Sequence, residues 1–152
     1  MGIEWCKKQG MKLVEPNDDL AEEYYLSAEE TLRVTNLIKN SGSNMWLATQ
    51  KYYVEYLAAY ALLMKLGVKA EIHSCTIDII RLLEEEGIIT FRFADQLIHD
   101  KELRIDNQYY LKNRPVDLNP KALAELLLHT RKLLDTLTEK QVQHIRKKIA
   151  TA

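Results

Sequence analysis

Proline, glycine and cysteine are all scarce in this sequence. Its 152 residues contain three prolines and five glycines, most of them lying between periodic segments. Helix-breaking residues are therefore rare inside the periodic stretches, and no strand signal is long enough to propose a sheet. Only two cysteines are present, Cys6 and Cys75. Without a Cys-x-x-Cys pairing they offer no zinc site, and two reduced thiols in a cytoplasmic protein are expected. No N-terminal apolar run resembles a signal peptide. The longest apolar stretch, Tyr56 to Met64, is far short of the roughly 20 residues that span a bilayer. Neither sign of charge dominates: 21 basic against 22 acidic residues leave a formal charge of -1. No global field draws in nucleic acid, so any RNA binding has to come from a local patch.

Hydrophobic residues make up 47% of the chain, whose length suits one domain. Such a domain can stabilise itself without metal or disulfides. Residues 1–17 read as an ordered arm with Trp5, Met11, Leu13 and Val14 as anchors. Pro16-Asn17-Asp18-Asp19 is a helix start, and Leu20, Tyr24, Ser27, Thr31, Val34 and Ile38 predict an apolar stripe running to about Lys39. Ser43 or Asn44 caps the next helix, predicted over 44–66 and stopped by Gly67. Its stripe is Trp46, Tyr53, Leu57, Tyr60 and Met64, but apolar residues surround most of it, so it is expected at the centre. Lys51, Glu55 and Lys65 mark its exposed edge, and Ala58, Ala59 and Ala61 permit close approach of a neighbour.

Ser74 can cap a third helix with Ile77, Ile80 and Leu83 inward, and Glu84-Glu85-Glu86 reads as its solvated end. A fourth helix covers roughly Phe91 to Leu111, with Arg114-Pro115 beyond it. Asn119-Pro120 starts a fifth, with Leu123, Leu126, Leu127, Thr130, Leu134 and Leu137 as its stripe. Thr138-Glu139-Lys140-Gln141 is a capping box opening a short last helix. The expected fold is all-α: a four- to five-helix up-and-down bundle over 18–137, an arm over 1–17 and a C-terminal helix or tail over 138–152.

The densest chemistry lies in Leu103 to Leu111, where an arginine, two amides, a carboxylate and two phenols are neighbours. Arg104, Asn107 and Gln108 share a helix face. Tyr109 lies about 140° around from Arg104 and can join it only near a frayed helix end or across a dimer axis. The plain structural alternative is an amphipathic helix whose tyrosines pack and whose Arg104 pairs with Asp100. His73, at a helix start, is a packing or capping residue or a stand-in imidazole. His99, His129 and His144 have no metal-like spacing with carboxylates. Tyr52, Tyr53, Tyr56 and Tyr60 could stack a base or fill the core. Arg146-Lys147-Lys148 reads as a basic edge or a solvated tail.

Three segments carry a family resemblance: the Trp46, Tyr52-Tyr53, Tyr56, Ala59, Leu62-Leu63, Gly67 pattern; Ile72-His73-Ser74-Cys75-Thr76; and Glu102 to Tyr110. The chain resembles HEPN-domain proteins (higher eukaryotes and prokaryotes nucleotide-binding), in particular small stand-alone prokaryotic members. The arm from Trp5 to Asn17 is also similar, so the likeness spans most of the chain. The resemblance implies a homodimeric helical bundle that binds RNA or a nucleotide, or that docks a partner. That partner would be a nucleotidyltransferase acting as antitoxin in a toxin–antitoxin pair. The implied binding residues are Arg104, Asp106, Gln108, Tyr109, Tyr110 and Lys112, with no cofactor and no metal. Many such proteins are metal-independent endoribonucleases with an Arg-x4–6-His motif. Carried over here, Arg104 fills the arginine slot, Asp106 the polar role behind it, and Tyr109 stands where the four-spaced motif wants histidine. Histidine titrates near pH 6.5 and tyrosine near 10, so a phenol orients a phosphate better than it accepts a proton. The alternative reading is an endoribonuclease toxin using Arg104 and Tyr109.

Overall fold

The computed structural model describes residues 2–152. In chain order its elements are α1 (Ile3–Lys8), β1 (Lys12–Leu13), α2 (Asp18–Ile38), α3 (Asn44–Leu66), β2 (Val68–Lys69), α4 (His73–Glu85), α5 (Phe93–Gln108), α6 (Pro120–Thr136) and α7 (Glu139–Thr151). The fold is all-α, as the sequence predicts, apart from the short antiparallel β1–β2 pair with Leu13 opposite Val68. That pair clips the N-terminal arm to the end of α3.

Helix α3 is the hub. Tyr52, Val54, Ala58, Ala59, Ala61, Leu63 and Leu66 are fully buried, and α2, α4, α5, α6 and α7 all pack on it. Its ends follow the sequence signals: the Ser43 side chain accepts from Trp46 N, and Gly67 closes the helix in the left-handed region at φ 76°. Asn119 with Pro120 starts α6, and the Thr138–Gln141 box starts α7, both as the sequence predicts. Among the described residues no helix is long and apolar enough to cross a membrane.

The packing corrects several expectations. Helix α2 turns Ala21, Tyr25, Ala28 and Thr35 into the core, one position on from the predicted stripe, leaving Ser27 and Val34 exposed. Glu55 is no edge residue; it is fully buried. Helix α4 begins at His73 with Ile72 as N-cap, and Ser74 makes no capping bond. Glu84 is not simply solvated, because its Oε1 accepts from Phe93 N at 2.8 Å and so caps α5. Glu86 meets His144 at 3.2 Å and Lys148 at 3.5 Å. Arg146 is no tail charge. Its Nη1 donates to the carbonyls of Val14, Leu66 and Gly67 at 2.7–3.0 Å, tying α7 to the α3 terminus and the arm.

The largest correction concerns the thiols. Cys6 and Cys75 form a disulfide that bolts α1 onto the first turn of α4, with Cα atoms 5.7 Å apart. Nothing in their spacing signals this, since 69 positions separate them. Closing so long a loop restricts the unfolded chain, a stabilisation of about 4 kcal/mol in the chain-entropy account. The Cys6→Ser/Cys75→Ser variant is expected to lose about that much in urea unfolding. An unchanged midpoint would show that the bridge contributes nothing.

A second buried feature lies where α3 meets α5. Glu55 and Asp100 are both essentially inaccessible, and Glu55 Oε1 and Asp100 Oδ2 are buried without a donor, so a proton on Glu55 is what would let the two carboxyls face each other. Burial pushes the Glu55 carboxyl well above its usual range, reinforced by Asp100. Burial also acts to raise Asp100, but the Glu55 proton, Lys51 at 3.3 Å and His99 at 3.1 Å outweigh it and hold it ionised. Gln96 Nε2 donates to the other Glu55 oxygen at 2.7 Å. A raised folded-state value means folding takes up a proton. The stability so gained is complete below glutamate's ordinary value of 4.5 and is lost as pH rises towards the folded value. Glu55→Gln keeps a donor without needing the proton. It should unfold at higher urea than wild type at pH 7, with the gap closing as the pH falls towards glutamate's ordinary value.

Candidate functional site

Helix α5 runs past α3 with Leu97, Asp100, Leu103, Arg104 and Asn107 turned inward. Of the three residues that the spacing places on one face, Arg104 and Asn107 are buried and Gln108 is half-buried. Arg104 comes to rest 8% exposed over the aromatic stripe of α3. Its Nη1 donates to the Tyr53 hydroxyl at 2.9 Å. Its guanidinium carbon sits 5.3 Å from the Tyr52 ring centre, 5.4 Å from Tyr53 and 5.6 Å from Tyr109. The Arg104–Asp100 pair allowed by spacing does not form, because Asp100 is occupied by Lys51. Among the described residues no carboxylate pairs with Arg104, and its buried Nε has no hydrogen-bond partner.

Tyr109 is the C-cap residue of α5. Its backbone is still αR and its N–H donates to the Ile105 carbonyl at 3.0 Å, so its ring approaches the guanidinium from the last turn of the helix and not from an unwound end. The following loop is held by Asn107, which is buried. Its Nδ2 donates to the carbonyls of Asn44 at 3.3 Å and Arg114 at 2.9 Å, while its Oδ1 accepts from Arg114 N at 2.7 Å. Leu111 and Asn113 take positive φ, 51° and 54°, to make this turn. The rim it presents is open, with Tyr109, Tyr110 and Leu111 each more than 60% exposed.

Asp106 lies elsewhere. Its carboxylate meets Arg114 at 2.6 Å and Lys112 at 3.3 Å, and the Arg114 hydrogen bond leads the effects that hold it below the ordinary aspartate value. Lys112 also lies 5.8 Å over the Tyr110 ring. Gln108 Oε1 is 3.5 Å from the Thr49 hydroxyl. The six residues predicted from sequence thus divide. Arg104 and Tyr109 form one cluster, Asp106, Lys112 and Tyr110 form a neighbouring one around the loop, and Gln108 faces Thr49 between α5 and α3.

Sequence spacing gives no hint that His73 belongs with Arg104. The start of α4 lays its imidazole flat on Tyr56, ring centres 4.0 Å apart, with Nδ1 2.8 Å from the Tyr52 hydroxyl. Tyr52 in turn carries the Arg104 guanidinium over its ring. Burial, then the charges of Arg104 and Lys101, lower the His73 pKa, so the ring is neutral at pH 7. Burial pushes Tyr56 up to about 12 and Tyr52 higher still, so both keep their protons. If the Tyr52 O–H donates to Nδ1, Nε2 carries a proton and can only donate; if Nδ1–H donates to the phenol oxygen, Nε2 is a base. His99 pairs with Asp100, His144 with Glu86, and His129 lies against Phe91. No group of three metal-ligating side chains occurs among the described residues.

The arrangement is a desolvated cation in an aromatic cradle, beside a neutral imidazole. Cation–π contacts and one phenol offset part of the cost of burying Arg104. An oxyanion placed against it would supply the missing charge-assisted bonds. Comparison with family models, with curated proteins and with solved structures finds no match to this chain.

Proposed function

We propose that the chain is a HEPN-type module that binds RNA or a nucleotide through phosphate at Arg104, working as a homodimer. The supporting observation is Arg104 itself: nine-tenths buried, without a carboxylate, with an orphaned Nε. Structural arginines in such positions are normally neutralised, so an unpaired guanidinium suits an anionic ligand. Tyr109, exposed beside the guanidinium, offers a face for a base and a hydroxyl for a ribose or phosphate, while the buried Tyr52 and half-buried Tyr53 hold the guanidinium in place. The open rim of Tyr109, Tyr110 and Leu111 suits a second copy of the chain across a two-fold axis. Docking of a nucleotidyltransferase in a toxin–antitoxin pair belongs to the same reading and rests on the family resemblance.

The second reading is a metal-independent endoribonuclease, for which Arg104 and Tyr109 are the sequence candidates. What favours it is His73, an imidazole two contacts from Arg104 whose Nε2 is a base in one of its two tautomers. One experiment addresses both readings: a labelled single-stranded RNA incubated with protein in chelator at pH 7, scored for retention and for cleavage. Retention without cleavage that is lost in Arg104→Ala supports the first reading. Cleavage that is lost in His73→Ala supports the second. A cytoplasmic setting is proposed on the same family grounds; counting free thiols in protein alkylated at lysis tests it, because there the Cys6–Cys75 bridge would be reduced.

A further inference from the structure

Helix α2 carries a second stripe, separate from the one that meets α3. Leu26, Glu30, Arg33 and Leu37 fall at steps of four, three and four, and all are exposed, Leu37 by 85%. Such steps hold a helical line straight on one face. The line borders a groove of about 740 Å³ between α2 and α6, where Leu128 stands 67% exposed. Leu26, Leu37 and Leu128 take no part in the core.

The order along the stripe is apolar, acidic, basic, apolar. Laid antiparallel on its own copy, it reads the same from both directions: Leu26 meets Leu37, and Glu30 meets Arg33, twice. Those pairs occupy the layers in which antiparallel helices interlock across a two-fold axis. A parallel pairing would instead set Glu30 on Glu30 and Arg33 on Arg33.

We infer that this face of α2 is an isologous contact surface for the α2 of a second copy of the chain, set antiparallel, with Leu128 of α6 at its flank. It is distinct from the rim at Tyr109 and Tyr110, and does not depend on Arg104 or on any ligand. With two separate two-fold surfaces, a chain assembles into a tetramer if the axes close and into an open array if they do not.

Charge reversal tests the pairing. Glu30→Arg brings a second guanidinium against Arg33, and Arg33→Glu brings a second carboxylate against Glu30. Each variant alone should therefore self-associate at least tenfold more weakly than wild type by sedimentation velocity. Mixed in equal amounts the two variants are complementary, one carrying only arginines and the other only glutamates at the facing positions, and association should return. So should it in the double variant, which restores an opposite-charge pair in reversed order. Circular dichroism melts control for folding of the exposed-site variants, and retention of the labelled RNA by Arg104 should be unchanged. The inference fails if the single variants associate like wild type, if mixing restores nothing, or if wild type shows no association step sensitive to these charges. The last outcome would leave the groove to a foreign helix. Failure of the Arg104 reading shows separately, as unchanged RNA retention in Arg104→Ala, whatever the charge variants do to association.

Discussion

Gly67→Ala should lower the stability of the fold by roughly 4 kcal/mol, read as a large drop in urea midpoint. Two costs add. The residue sits at φ 76°, where an L side chain is strained, and the Cβ would run into Arg146 Nη1, the Val14 carbonyl and the Pro16 nitrogen. Two of these three are backbone atoms of the arm and cannot swing aside. The third is the guanidinium that bonds the carbonyls of Val14, Leu66 and Gly67, so moving it strips a buried junction of charge-assisted bonds. The double variant Gly67→Ala/Arg146→Ala should be less destabilised than the sum of the singles, because the second change removes one of the colliding groups. A Gly67→Ala midpoint within error of wild type would show that the arm is not seated there.

Arg104→Ala should weaken retention of single-stranded RNA by tenfold to about a hundredfold, the scale of one lost set of charge-assisted bonds. The salt dependence should flatten as well, because fewer counterions are released on binding. Arg104→Lys should fall between the two: it keeps the charge and loses the planar fork that can hold phosphate while stacking on Tyr52 and Tyr53. Tyr109→Phe keeps the ring over the guanidinium and should leave most binding intact. Folding is a separate readout. Arg104→Ala removes a buried unpaired cation along with one bond to Tyr53, so its melting should stay close to wild type. Unchanged RNA retention in Arg104→Ala would remove the basis of the proposed function.

The limits of α3 were legible because both ends carry local signals, a serine cap and a glycine stop, and because a helix apolar all round has one place to go. The same holds for Asn119-Pro120 and for the capping box at Thr138. The burial of α2 was not legible. Leu20, Tyr24 and Val34 form a good stripe, but Ala21, Tyr25 and Ala28 form another one step away, and the small residues win because they let α3 approach closely. Glu55 looked exposed because an ionised carboxylate is costly to bury. Burial beside Asp100 favours its neutral form, and Asp100 belongs to another helix that only the packing brings alongside. In the site, the Arg104–Asn107 face followed from helix spacing. His73 did not, since its place beside Arg104 arises from how α4 crosses Tyr52 and Tyr56 and leaves no periodic trace. The Cys6–Cys75 bridge is invisible for the same reason.

Asn107 has a thermodynamic consequence for whatever binds beside it. Two residues of the loop after α5, Leu111 and Asn113, occupy a backbone region that costs an L residue roughly 1–2 kcal/mol each. Left to itself, that segment would relax into many conformations. The buried amide of Asn107, bonded to Asn44 and on both sides of the Arg114 backbone, selects one of them. The conformational entropy of the Tyr109–Tyr110 rim is thereby surrendered during folding. A ligand arriving at Arg104 meets a preorganised wall and keeps more of its contact energy as affinity.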